Sequence, residues 1–254
     1  MNIGFPRKIL IALMLVFGLA PLSGCASLSA ATTTIDPDKE TVVLLHGLGR
    51  SPSAMWRLAG QLEDAGYEVI RIGYDSFQDT PKEILADIEG QLDAYELDQS
   101  TKVHFVGHSF GGLVIRDYLA ENQIPSLGHV VLMGTPNKGT AIVDNLRDKW
   151  WFNLLGPTAR ELGTGKESYP QTLKRPNYPL GVIAGKTDSS NDHLLPGPDD
   201  GMVSVESAKL EGMTDFILVE TGHSAMRYDK NVSDYTINFL KNGRFVINQS
   251  HIMN

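Results

Sequence analysis

Short apolar runs alternating with helical patterns predict an α/β fold, a mostly parallel sheet of about six strands with helices on both faces. Three observations carry this. Thr41–Leu45, Tyr67–Ile72, Lys102–Val106, His129–Met133, Leu180–Ala184 and Asp215–Val219 are β-branched and apolar. They are near-continuous rather than alternating, as for strands buried on both faces. The segments between them carry helical periodicity, and strand–helix alternation implies parallel pairing.

The first element lies outside the fold. Arg7 and Lys8 precede an unbroken apolar run, Ile9 to Leu19, which Pro21, Ser23 and Gly24 interrupt. Eleven residues make about 16 Å of helix against a hydrocarbon core of ~30 Å, so a signal peptide over 1–24 fits better than a membrane span. Leu22-Ser23-Gly24-Cys25 resembles a bacterial lipobox, which implies a lipidated N-terminus at Cys25 and a chain held to the cell envelope. Ala26 after the cysteine resembles the outer-membrane sorting case, facing the periplasm. Residues 25–40 then read as lipidated N-terminus and solvated tether, and 41–254 as the folded domain.

Within the domain, Thr80-Pro81 suits a helix start, with Ile84, Leu85, Ile88, Leu92 and Tyr95 on one face. Ser53 to Ala65 and Gly112 to Ala120 also read as helices. Composition narrows the function. The chain has 254 residues, is 42% hydrophobic and carries formal charge −8. The form starting at Cys25 has 20 basic and 30 acidic residues, a charge of −10. A nucleic-acid partner is not expected of so acidic a chain. Cys25 stands alone, so no Cys-rich metal site forms, and no cofactor or metal is implied.

In parallel sheets, sites gather at the carboxyl ends of strands. Gly107-His108-Ser109-Phe110-Gly111 follows the third strand and opens a helix. This is the Gly-x-Ser-x-Gly elbow, in which the serine sits on a sharp turn with its hydroxyl projecting over the sheet. Gly107 and Gly111 stand where side chains would collide with the neighbouring strand and helix. A serine nucleophile needs a base. Of seven histidines, only His223 combines a strand end with the chain order serine, acid, histidine. For the orienting carboxylate the residues leave Asp188, Asp199 and Asp200 open.

His46-Gly47-Leu48-Gly49, the elbow, Gly134 to Thr140, Asp200-Gly201-Met202-Val203 and Gly222-His223 together resemble the α/β-hydrolase lipase and esterase family over most of 41–240. The resemblance implies a Ser109-His223-Asp200 triad. It implies an oxyanion hole from the backbone N–H groups of Leu48 and Phe110, and it implies cleavage of acyl or lipid esters. An acyltransferase or thioesterase would use the same triad, and a non-catalytic binding lipoprotein would keep only the fold. The strand–helix alternation stops over 140–179. Trp150, Trp151, Phe152 and Leu154 there read either as a substrate pocket or lid, or as a helix packed on the core. The lipobox reading predicts that Cys25→Ser moves the protein from the membrane to the soluble fraction on cell fractionation.

Overall fold

The computed structural model describes residues 35–95, 97–188 and 194–246. The expected signal peptide, Cys25 and His251 lie outside them, as does His193. Six strands form one sheet: β1 (Thr41–Leu45), β2 (Glu68–Ile72), β3 (Val103–His108), β4 (Leu127–Met133), β5 (Leu180–Gly185) and β6 (Asp215–Val219). Their order is β2-β1-β3-β4-β5-β6, every pair parallel. The helices are α1 (Trp56–Asp64), α2 (Pro81–Asp93), α3 (Phe110–Glu121), α4 (Ala141–Leu146), α5 (Gly156–Arg160), α6 (Tyr169–Thr172), α7 (Val205–Ala208) and α8 (Lys230–Asn242).

The continuous apolar strand pattern has a direct physical outcome. Because alternate side chains leave a strand on opposite faces, each central strand feeds two cores. Val43, Leu45, Phe105, Val130 and Val182 pack with α2 and α3 through Ile84, Ile88, Leu113 and Ile115. Val42, Leu44, Val106, Val131 and Ile183 pack with α1 and α8 through Leu58, Leu62, Val232 and Phe239. The edge strands differ from the expectation. Arg71 of β2 and Leu218 of β6 face solvent, since an edge strand is covered incompletely.

Several boundaries also differ. β3 runs two residues beyond Val106, through Gly107 and His108, and α3 starts at Phe110 rather than Gly112, because the turn between them is a single residue. Pro52–Met55 is a 3-10 turn ahead of α1, not the first turn of one helix. Residues 35–40, read as tether, belong to the domain: Ile35 is buried in the core, and the Asp36 N–H donates to Glu68 Oε2 at 3.2 Å. Thr80 caps α2 as expected. The Thr80 N–H donates to Glu83 Oε2 at 2.9 Å, and the Glu83 N–H donates to Thr80 Oγ1. Asp229 caps α8 by accepting from the N–H groups of Asn231 and Val232.

Strand register sets up the site. Leu45 pairs with Gly107, and Gly107 with Leu132, so the exits of β1, β3 and β4 lie at one level. At the opposite end of β3, His104 is buried. It donates from Nε2 to Glu40 Oε2 at 3.1 Å and accepts at Nδ1 from the His129 N–H at 2.9 Å. Among the described residues, no helix is long and apolar enough to cross a membrane. Phe239 is fully buried between β4 and Phe245, so Phe239→Ala is expected to cost about 3–5 kcal/mol in urea unfolding.

Candidate active site

Ser109 sits between β3 and α3 at φ 57°, ψ −125°. It is the one non-glycine residue at positive φ among those described. Such a conformation costs an L residue of order 1–3 kcal/mol, and the surrounding structure must enforce it. Both elbow glycines are explained by close approach. A Cβ on Gly107 would lie 2.6 Å from Gly112 Cα, and one on Gly111 would lie 2.6 Å from the Leu45 carbonyl oxygen. The Ser109 N–H donates to the Met133 carbonyl at 2.9 Å, tying the elbow to β4.

The structure brings Ser109, His223 and Asp200 together. His223 Nε2 is 2.9 Å from Ser109 Oγ, and Nδ1 is 2.8 Å from Asp200 Oδ2. The carboxylate accepts from Nδ1–H, which leaves Nε2 as acceptor for the serine hydroxyl. Asp200 Oδ1 accepts from the N–H groups of Met202 at 3.0 Å and Val203 at 2.8 Å. These bonds fix the carboxylate plane, and the Asp200 side chain is only 1% exposed against 12% for His223.

This resolves the three acids. Asp188 is exposed after β5. Asp199 is buried, and its Oδ1 receives the Gly201 N–H at 2.7 Å, a turn-forming contact. Asp200 meets the imidazole through Oδ2. Its loop is closed by the Val205 N–H to the Pro198 carbonyl at 2.8 Å, and Thr140 Oγ1 donates to the Met202 carbonyl at 2.8 Å.

Two further buried histidines stand at strand ends, His108 on β3 and His46 just after β1. The His223 N–H donates to the Asp200 carbonyl at 2.8 Å, and the carbonyl of His223 receives His108 Nε2–H at 2.8 Å. His108 thus holds the backbone of His223. Burial pushes the His108 imidazole well below the usual histidine range, helped by the nearby His223 and Arg227. A neutral His108 does not repel an imidazolium at His223. His46 is also buried and lowered, chiefly by desolvation. Sequence reading placed these two only in the turn and the elbow. The available signal was position, since both stand at the carboxyl end of a strand.

Leu48 follows β1, and Phe110 is the first residue of α3, whose N–H has no carbonyl within its own helix. The 140–179 segment divides. Phe152 is 3% exposed and lies in the core, on the inward side of the 3-10 turn Trp150–Leu155. Trp151 packs partly against that core, while Trp150 and Leu154 are 77% and 66% exposed. Among the described residues, no group of three or more His, Cys, Asp and Glu side chains could hold a metal ion.

A sequence model of the palmitoyl protein thioesterase family matches residues 41–177, more than half of the chain. The chain belongs to that family. The palmitoyl protein thioesterase match contains the loop after β1 and the elbow, and stops before Asp200 and His223. A triacylglycerol lipase from Burkholderia plantarii is 30% identical over 151 residues, which are 54% of this chain and 41% of that protein. The chain therefore spans about two fifths of the length of this curated relative. The mature lipase of Bacillus licheniformis superposes with TM-score 0.61 at 22% identity, covering 76% of this chain and 88% of the lipase. An esterase of Pyrococcus furiosus gives TM-score 0.56 at 19% identity, covering 81% and 83%. The fold of this palmitoyl protein thioesterase family member is the α/β-hydrolase fold, as the sequence resemblance implied.

The neutral buried histidines make a pH prediction. His46, His104 and His108 all titrate below their ordinary 6.5 in the folded state, mainly through burial. Below pH 6.5 the unfolded chain therefore binds protons that the native state excludes, and stability falls as pH falls. Urea midpoints are expected to drop steadily between pH 7 and pH 5, above the range where most carboxylates titrate. A His104→Gln variant should show a shallower drop.

Proposed function

We propose that the protein is a serine hydrolase that cleaves carboxylic acyl esters through a Ser109-His223-Asp200 triad. The observation that carries this is the unbroken hydrogen-bond chain from Ser109 Oγ through the imidazole to the buried Asp200 carboxylate. It stands on a strained elbow that presents the serine hydroxyl.

In this reading Ser109 Oγ attacks the substrate carbonyl as His223 Nε2 takes its proton. The Leu48 and Phe110 N–H groups receive the developing oxyanion, an interaction worth about 3 kcal/mol of barrier per donor. The imidazolium, held by Asp200, then protonates the leaving group, and an acyl-serine remains. Water activated by His223 attacks that ester and regenerates Ser109. No cofactor enters these steps.

The substrate reading is a lipid or other acyl ester. Two similar proteins carry names of that kind, a triacylglycerol lipase and a phospholipase of Legionella pneumophila. Exposed Trp150 and Leu154 offer apolar surface for an acyl chain or a lipid interface. A second reading, cleavage of acyl thioesters, is favoured by the family match, since palmitoyl thioesterases give that family its name. We also place the protein in a bacterial envelope, anchored through a lipid on Cys25 and facing the periplasm, on the strength of the lipobox-like segment alone.

A fluorophosphonate probe should label the wild type and fail to label Ser109→Ala. Asp200→Asn should lower kcat about 10⁴-fold, since the amide no longer holds the working tautomer. Parallel rates on p-nitrophenyl esters and acyl-CoA thioesters of rising chain length separate the ester and thioester readings. A folded wild type that neither labels nor turns over would leave only a binding role.

A further inference from the structure

The loop after β2, Gly73 to Asp79, was assigned no part in the site by the sequence, yet its side chains meet the oxyanion loop at three points. The Tyr74 hydroxyl donates to the His46 carbonyl, and its ring stacks on the His46 imidazole with centroids 4.1 Å apart. The Gly49 N–H donates to Ser76 Oγ at 2.7 Å. The Phe77 ring lies against Gly49. Tyr74 also sets its edge against Phe110, centroids 6.0 Å apart, and so touches the segment that carries the other oxyanion donor.

Within the oxyanion loop the contacts converge on one peptide plane. His46 Nδ1 lies 3.0 Å from the Gly47 carbonyl. That carbonyl accepts, so Nδ1 carries the proton. The Gly47 carbonyl and the Leu48 N–H belong to one trans peptide and point in opposite directions. Holding the carbonyl therefore aims the N–H. His46 in turn is held by Tyr74, through both its ring and its own backbone oxygen.

We propose that Tyr74 and Ser76 are positioning residues that set the oxyanion hole by clamping residues 46–49 on both sides of Leu48. The inference rests on the hydrolase reading of Ser109. Neither residue touches substrate; each acts through the backbone of the loop. Both are buried, at 8% and 2% exposure, so the clamp operates away from solvent. The same loop also carries the segment that follows Trp150. Thr158 Oγ1 donates to the Asp79 carbonyl at 2.7 Å, and Gly156 packs on the Phe77 backbone.

The test compares wild type with Tyr74→Phe, Ser76→Ala and Ser76→Thr in the full chain. Three quantities are read: kcat and KM on a p-nitrophenyl ester, affinity for an aryl boronic acid, and the thermal midpoint. The boronic acid forms a tetrahedral adduct on Ser109 whose oxygen occupies the hole. Misplacing one donor by about 1 Å costs up to ~100-fold, so kcat should fall about 10- to 100-fold in Tyr74→Phe and Ser76→Ala. KM should stay within about twofold, and boronate affinity should fall by the same factor as kcat. Ser76→Thr, which keeps the hydroxyl, should retain most activity. If Tyr74→Phe does not fold, the Ser76 pair alone decides. Wild-type kcat in Ser76→Ala, or a loss of kcat with unchanged boronate affinity, overturns the proposal. A wild type that neither labels nor turns over overturns the hydrolase reading itself, and the clamp with it.

Discussion

Ser109 occupies a backbone region that L residues avoid, and the rest of the site depends on keeping it there. The enforcing contacts come from both neighbours of β3. On the β1 side the carbonyls of Leu45 and His46 press against Gly111, and on the β4 side the Met133 carbonyl holds the Ser109 N–H. Gly107 lets the first turn of α3 fold back onto the strand that precedes it. None of these contacts is a strong interaction alone. They succeed because β1, β3 and β4 are locked in register between two apolar cores, so the elbow cannot relax without unpairing the sheet centre.

From this fixed point Asp200 and His223 are placed as a unit. His223 and Asp200 are joined by their side chains and also by the His223 N–H to the Asp200 carbonyl. A shift of one loop therefore carries the other with it, and the separation of imidazole and carboxylate is preserved. His108 completes the frame by bonding the far side of the His223 peptide. Burial keeps His108 uncharged, so a proton arriving on His223 meets no second imidazolium beside it.

Most of the fold was legible, because a strand covered on both faces must be apolar throughout and the chain writes that pattern six times. It was less legible at the edges, where Arg71 and Leu218 face solvent. It failed at Ile35, where a lone apolar residue in a Thr- and Asp-rich stretch gives no periodic signal for packing. The places of Ser109 and His223 at strand ends could be read because turn geometry and chain order constrain them. Choosing among Asp188, Asp199 and Asp200 from the residues alone was impossible, since adjacent acids differ only in which way the loop turns them. Tyr74 and Ser76 escaped for a related reason: contacts between loops after different strands depend on sheet order. For Trp150 to Leu154, composition showed apolar surface but not that one helical turn would send Phe152 inward and leave Trp150 and Leu154 outside.

The spacing of these residues along the chain has a bearing on folding. The loop after β1, the loop after β2 and the elbow all belong to the first half, and they close around β1, β3 and β4. Asp200 and His223 come from the last quarter, and His223 is positioned only after β6 has added to the sheet edge. The support of the Ser109 elbow is complete only when α8 covers the second core, through Val232 and Phe239. The hydrogen bond between Ser109 and His223 therefore joins the two ends of the folded chain and forms only when both are in place.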